Sequence, residues 1–170
     1  LVAEADESDG SFLQLTPTIA VITKLDLEHL DHYTGGLPDL KVAFAAFANR
    51  VPFYGLAVVC IDEENVQALL PRLTRRHVTY GRSRQADYQA SEVTLEGMMS
   101  TFRVLRRGED LGLVELPLVG AHNVLNARAA IAVSDELGIP FSTAARGLAG
   151  FQGVERRFTV RGEVAGVTVV

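Results

Sequence analysis

Residues 18–24 read Thr-Ile-Ala-Val-Ile-Thr-Lys, and residues 56–61 read Leu-Ala-Val-Val-Cys-Ile. Both runs are near-continuously apolar and branched, the character of strands covered on both faces rather than strands with one wet face. A shorter candidate strand is Leu1–Ala5. Helical spacing separates the runs: over Asp39–Phe47, Leu40, Phe44 and Phe47 fall on one stripe by the i, i+4, i+7 rule. A second, shorter helix is expected over Glu63–Leu70, stopped near Pro71. Strand, helix, strand, helix is the order of a parallel sheet with helices on its faces.

Further along, the pattern changes. Between Ala86 and Leu118 the stretches YQASEVTL, STFRVLRR and LGLVELPL place polar residues at alternate positions, with turn residues at Glu96-Gly97 and Gly108-Glu109. That is the signature of an antiparallel meander with one solvated face. A long helix is expected from Asn123 to Glu136, kept slim by Ala127, Ala130 and Ala132 and closed by Gly138. A short helix should begin at Ser142, where Ser-Thr-Ala-Ala has capping chemistry. The fold class is therefore α/β, with a mostly parallel central sheet flanked by helices and a smaller antiparallel sheet.

Composition narrows the function. The chain has 170 residues, enough for one well-buried domain, with 48% hydrophobic and 22% charged residues and no Trp. A net charge of −5 argues against non-specific nucleic-acid binding, which needs a clustered basic surface. No apolar run approaches the roughly 20 residues of a membrane span. The one cysteine, Cys60, lies inside a strand run, so it reads as buried and leaves no internal disulfide. These features point to a cytoplasmic protein. The chain opens without Met and closes on GVTVV, which reads as a strand short of its turn. The expectation is a middle segment of a longer polypeptide, with part of any active site outside it.

Two polar clusters stand out. Glu4-Ala5-Asp6-Glu7-Ser8-Asp9 packs four carboxylates into six residues after a candidate strand. Such crowding is relieved by a divalent cation or by solvent, and both readings stand at this point. Asp26-Leu27-Glu28-His29-Leu30-Asp31-His32-Tyr33 follows a buried strand, so both acidic stretches can occupy one sheet edge, where open α/β sheets bind ligands. The second cluster, Gly120-Ala121-His122-Asn123-Val124-Leu125-Asn126, opens the long helix. Asn123 and Asn126 share a face by i, i+3 spacing, and their amides suit the donor–acceptor edge of a purine. The alternative is a helix cap formed by His122 or Asn123. Arg156-Arg157 offers either a phosphate fork or an ion-paired turn.

Taken in order, these motifs resemble the central domain of the Mur ligase family, over essentially all 170 residues. The likeness rests on Glu4–Asp9, Glu28-His29-x-Asp31, Pro52-Phe53-Tyr54-Gly55, Gly120-x-His122-Asn123-x-x-Asn126-Ala127, and Phe151-Gln152-Gly153 leading to Arg156-Arg157-Phe158. The resemblance implies ATP and Mg²⁺ as cofactors. It implies that Glu4 binds the Mg²⁺ shared with the ATP phosphates and that His29 ligates a second Mg²⁺ near the substrate carboxylate. It implies that Asn123 and Asn126 recognise adenine with His122 beside them, and that Arg157 contacts nucleotide phosphate. Glu4, His29 and Arg157 are thus the catalytic candidates. Residues 1–158 would form the ATP-binding central domain, and residues 159–170 its end and the approach to a C-terminal domain. The alanine-adding branch of the family fits best, with UDP-N-acetylmuramate and L-alanine as substrates. Alternatives are a sibling that adds a tripeptide to the same sugar nucleotide, and a non-catalytic nucleotide-binding module. Two lysines depart from or complicate the pattern. Lys24 stands where the family usually has Asn, close enough to a metal site to repel the ion or to contact a phosphate. Lys41, on a helix where some Mur ligases carry a carbamylated lysine, reads as a surface residue.

Overall fold

A computed structural model describes residues 1–25, 33–154, 162–164 and 167–169. The two apolar runs become β1 (Ile19–Ile22) and β2 (Leu56–Cys60), paired in parallel. Every residue of β2 is buried, and the alternation of its side chains shows why. Ala57 and Val59 face a core shared with Phe12, Leu40, Phe44 and Phe47. Leu56, Val58 and Cys60 face a second core with Phe102, Val104, Val124 and Ile131. The first core is covered by α1 (Leu37–Ala48) and the second by α3 (Ala121–Glu136). Period-two geometry sends successive residues to opposite faces, so a strand covered on both faces cannot alternate in polarity.

The remaining elements are α2 (Glu64–Gln67), β3 (His77–Tyr80), β4 (Tyr88–Glu96), β5 (Met99–Arg106), β6 (Glu109–Leu116), α4 (Phe141–Ala149), β7 (Gly162–Val164) and β8 (Val167–Val169). Strands β1 to β6 form one six-stranded sheet in chain order. It is parallel as far as β4 and antiparallel from there to β6. The meander is grafted onto the parallel part through the single register pair Tyr80–Tyr88. β7 and β8 pair antiparallel as a separate two-stranded sheet, so the GVTVV strand has its partner in β7.

Several local expectations shift. Leu1–Ala5 forms no strand, and Leu1 and Val2 are fully exposed. The helix expected over Glu63–Leu70 ends at Gln67, and a separate helical turn, Leu70–Arg72, carries Pro71 in its first turn, where a missing amide costs nothing. α4 starts at Phe141 behind Pro140, not at Ser142, and no side chain caps it. α3 closes as expected: the amides of Gly138 and Ile139 bond to the carbonyls of Asp135 and Ser134, which satisfies the last turn.

The last turn of α3 is tied to the meander. Tyr88 Oη donates to Asp135 Oδ2 at 2.5 Å, and Arg106 Nη1 donates to both Asp135 oxygens at 2.9 and 3.0 Å. A carboxylate at a helix C-terminus opposes the helix dipole, so these partners are what hold it there. Burial alone would raise the Asp135 carboxyl, but the Tyr88 hydrogen bond and the Arg106 guanidinium outweigh it and the net displacement is downward. Asp135→Ala is expected to cost about 1–2 kcal/mol at neutral pH, discounted for partial exposure. A folded pKa below the unfolded one contributes stability that is complete above the ordinary aspartate value of about 3.9 and is lost as pH falls through the folded value. Thermal unfolding of both proteins from pH 7 to pH 2 should therefore show the gap closing on the acid side; a gap that widens there would refute the assignment.

Candidate active site at the carboxyl edge of the sheet

The orientation of α3 decides where its motif lies. Near its C-terminus, Glu136 pairs with Arg76, just before β3 begins. In its middle, Arg128 Nη1 donates to the carbonyl of Gly81, just after β3 ends. The helix therefore runs antiparallel to the parallel strands, and its N-terminus lies at their carboxyl edge. That edge is where open α/β sheets bind ligands.

At the N-terminus of α3, the cap residue is Gly120, with φ 127° and ψ 139° and no side-chain cap bond. A φ of 127° is a conformation that side chains with a Cβ rarely adopt, so this position favours glycine. Asn123 is half-buried and its Nδ2 donates to the carbonyl of Val119 at 3.0 Å, while His122 and Asn126 are exposed. The cap role weighed for His122 and Asn123 thus falls to Gly120 instead. The amides of the first turn point outward at the carboxyl edge, beside three polar side chains.

At the end of β1 lies a cleft of about 100 Å³. Glu7, Thr23 and Lys24 supply its polar lining, and Phe12, Phe44 and Phe47 its apolar lining. Tyr33, 7% exposed, donates its Oη to the backbone carbonyl of Glu7 at 2.7 Å. Burial, and then the carboxylates of Glu7 and Asp9, push the Tyr33 phenol up. Asp6 and Asp9 accept the amides of Ser8 and Ser11 at 2.9 and 2.8 Å, which shapes the acidic loop into tight turns. Glu4 is exposed on the stretch leading into that loop.

His29, with Glu28 and Asp31, lies outside the described residues, as do Arg156 and Arg157. The residues flanking the His29 segment, Leu25 and Tyr33, are both buried in the core under the acidic loop. The ends of both acidic stretches therefore meet at one edge, with the Tyr33–Glu7 hydrogen bond between them. Among the described residues, no three His, Cys, Asp or Glu side chains gather into a metal cluster. A sparse set of hard oxygen donors suits Mg²⁺, which keeps several waters and takes one or two carboxylates together with substrate phosphates. Cys60 is fully buried and burial pushes its thiol up, so it is no nucleophile.

Between the two regions sits a group that sequence reading passed over. Asp62, after β2, accepts the amide of Arg82 at 2.6 Å and its Nε at 3.2 Å. Arg128 is 2% exposed and spans from α3 to Gly81. Its signal was available: positions 124, 127, 128 and 131 form the buried stripe of α3, and an arginine there breaks the apolar pattern.

A six-stranded mixed sheet with helices on its faces is the architecture of a Mur-ligase-type middle domain. The sequence model of the Mur ligase middle domain matches residues 2–134, and the chain belongs to that family. Across its whole length it is 59% identical to a UDP-N-acetylmuramate–L-alanine ligase of Sorangium cellulosum and 56% identical to that of Myxococcus xanthus. It spans 36% of the length of each. Among solved structures, UDP-N-acetylmuramate–alanine ligase MurC of Thermotoga maritima matches 94% of this chain and 35% of its own, with TM-score 0.81 and 28% identity.

Proposed function

We propose that this chain is the ATP-binding middle of an enzyme that joins the lactyl carboxylate of UDP-N-acetylmuramate to L-alanine, forming ADP and phosphate, in cytoplasmic peptidoglycan precursor synthesis. The observation that carries this reading is end-to-end identity of 56–59% with ligases of that name. Among the described residues no helix is long and apolar enough to cross a membrane.

The chemistry begins with in-line transfer of the γ-phosphoryl group of ATP to a carboxylate oxygen, giving an acyl phosphate and ADP. The amine of L-alanine then attacks the carbonyl carbon, and the tetrahedral intermediate collapses to the amide with loss of inorganic phosphate. Bringing a polyanion to a carboxylate is strongly repulsive, and Mg²⁺, when bound, supplies the neutralising charge. Glu4 would hold the Mg²⁺ shared with the ATP phosphates and His29 a second Mg²⁺ near the substrate carboxylate, and Glu7 and Thr23 offer further oxygens in the cleft. Arg157 would grip phosphate with a fork of donors. Asn123 and Asn126, with His122 beside them, would orient the adenine so that the phosphates reach the β1 cleft. Lys24, in the lining of that cleft, would either repel the metal or contact a phosphate.

The natural full-length protein should release ADP when given ATP, Mg²⁺, UDP-N-acetylmuramate and L-alanine, and should discriminate against the tripeptide L-alanyl-γ-D-glutamyl-diaminopimelate. Turnover with the tripeptide but not with L-alanine would transfer the assignment to the recycling sibling. ATP binding without ADP release in any combination would leave a nucleotide-binding module.

A further inference from the structure

Arg128 is among the largest fully buried side chains of the protein, and among the described residues no carboxylate forms an ion pair with it. An apolar residue at this position would complete the stripe of Val124, Ala127 and Ile131 without burying a charge. What the guanidinium provides instead is a planar fork. Its Nε donates to the carbonyl of Val124, one turn back in α3, at 3.3 Å, and its Nη1 donates to the carbonyl of Gly81 after β3. A rigid fork fixes two acceptors relative to each other, which a flexible ammonium does not.

The Gly81–Arg82 turn is fixed from its other side as well. Asp62 accepts both Arg82 bonds, and a Cβ on Gly81 would stand 2.5 Å from Asp62 Oδ1. Asp62 is also the strongest favourable charge acting on Arg128. The Arg128 guanidinium thus ties the carboxyl end of β3 to the N-terminal half of α3, and Asp62 ties the same turn to the end of β2. The C-terminal end of that helix has its own anchors, Asp135 with Tyr88 and Arg106, and Glu136 with Arg76. Loss of the Arg128 fork therefore removes a polar tie between the sheet and the half of α3 that carries His122 and Asn123, and leaves the ties of the other end in place.

We propose that Arg128 is a positioning residue for the nucleotide site: its fork between Val124 and Gly81 holds the first turn of α3 in the register that ATP binding requires. The inference rests on the reading of that turn as the adenine subsite. A displacement of about 1 Å far from the chemistry is enough to cost a hundredfold when it misplaces a bound group.

The test uses the natural full-length protein, with Arg128→Met to remove the fork and Arg128→Lys to keep charge with a single flexible reach. Steady-state constants are taken at a temperature where circular dichroism shows every variant folded. Arg128→Met should raise the KM for ATP about tenfold while kcat and the KM for L-alanine change less than about threefold, and Arg128→Lys should recover part of the loss. An ATP KM within twofold of wild type in the folded Met variant, with only a lower Tm, overturns the proposal. If Arg128→Met does not fold, the Lys variant decides alone: about a threefold or larger rise in ATP KM supports the fork, and no rise overturns it. Should the wild-type protein bind ATP but join no L-alanine, the ligase reading fails, and ATP affinity by titration calorimetry replaces KM with the same two outcomes. A wild-type protein that binds no ATP overturns both.

Discussion

His29→Ala in the full-length protein is expected to lower kcat by a hundredfold or more while Tm stays within about 3 °C of wild type. The residues on either side of the segment that carries His29, Leu25 and Tyr33, are buried and belong to one core, which anchors the chain on both sides of it. Tyr33 in turn holds the acidic loop through its hydrogen bond to the Glu7 carbonyl. If His29 ligates Mg²⁺ near the reacting carboxylate, its removal strands negative charge at the point where phosphoryl transfer must occur. Loss of a group one shell further out already costs about 10–100-fold in affinity or activity, and loss of a direct ligand exceeds that. A metal deficit is partly overcome by mass action, so raising Mg²⁺ should recover some turnover in the variant and little in wild type. Near-normal turnover at limiting Mg²⁺ would make His29 an ordinary surface residue.

The parts of the fold that sequence reveals are those where one physical rule acts without competition. LAVVCI is apolar at every position because α1 and α3 cover opposite faces of β2, and nothing else explains such a run of that length. The meander is equally legible from its alternation and its turns at Gly97 and Gly108, although irregularities at Ser91–Thr94 and Val104–Leu105 shift the register along each pair. β3 escaped because His77-Val78-Thr79-Tyr80 is too short and too mixed to show a period. Leu1–Ala5 has strand composition but pairs with no strand, and composition alone does not supply a hydrogen-bonded neighbour. Ser142 looked like a cap, yet Pro140 takes that position because its fixed φ presets the entry into α4. For the candidate site, the start of α3 and the cleft at the end of β1 both lie at the carboxyl edge of the sheet. The clamp among Asp62, Gly81 and Arg128 joins residues 19 and 47 positions apart, a closure that only the folded sheet creates.

Replacing Asn123 and Asn126 together by alanine should raise the KM for ATP by about ten- to a hundredfold, with a smaller change in the KM for L-alanine. A net hydrogen bond is worth about 0.5–1.5 kcal/mol, more when its partner is stranded, and about 1.4 kcal/mol is a factor of ten. The competing explanation for any such loss is a weakened helix start. Capping is not the route, because Gly120 occupies the cap position and no side chain bonds there. What the double variant does remove is the hydrogen bond from Asn123 Nδ2 to Val119, which steadies the loop leading into α3. Loosening that loop would weaken all nucleotides alike, through the backbone amides of the first turn. Adenine recognition acts differently, since an amide that reads the purine edge favours one pattern of donors and acceptors over another. The ratio of ATP to GTP efficiency therefore separates the two effects, measured where both proteins are fully folded. Recognition predicts that the ratio collapses towards one in the double variant and that Asn126→Ala alone, which leaves the Val119 bond intact, already moves it. An unchanged ratio with a lowered Tm would make both asparagines structural and would remove adenine from the first turn of α3.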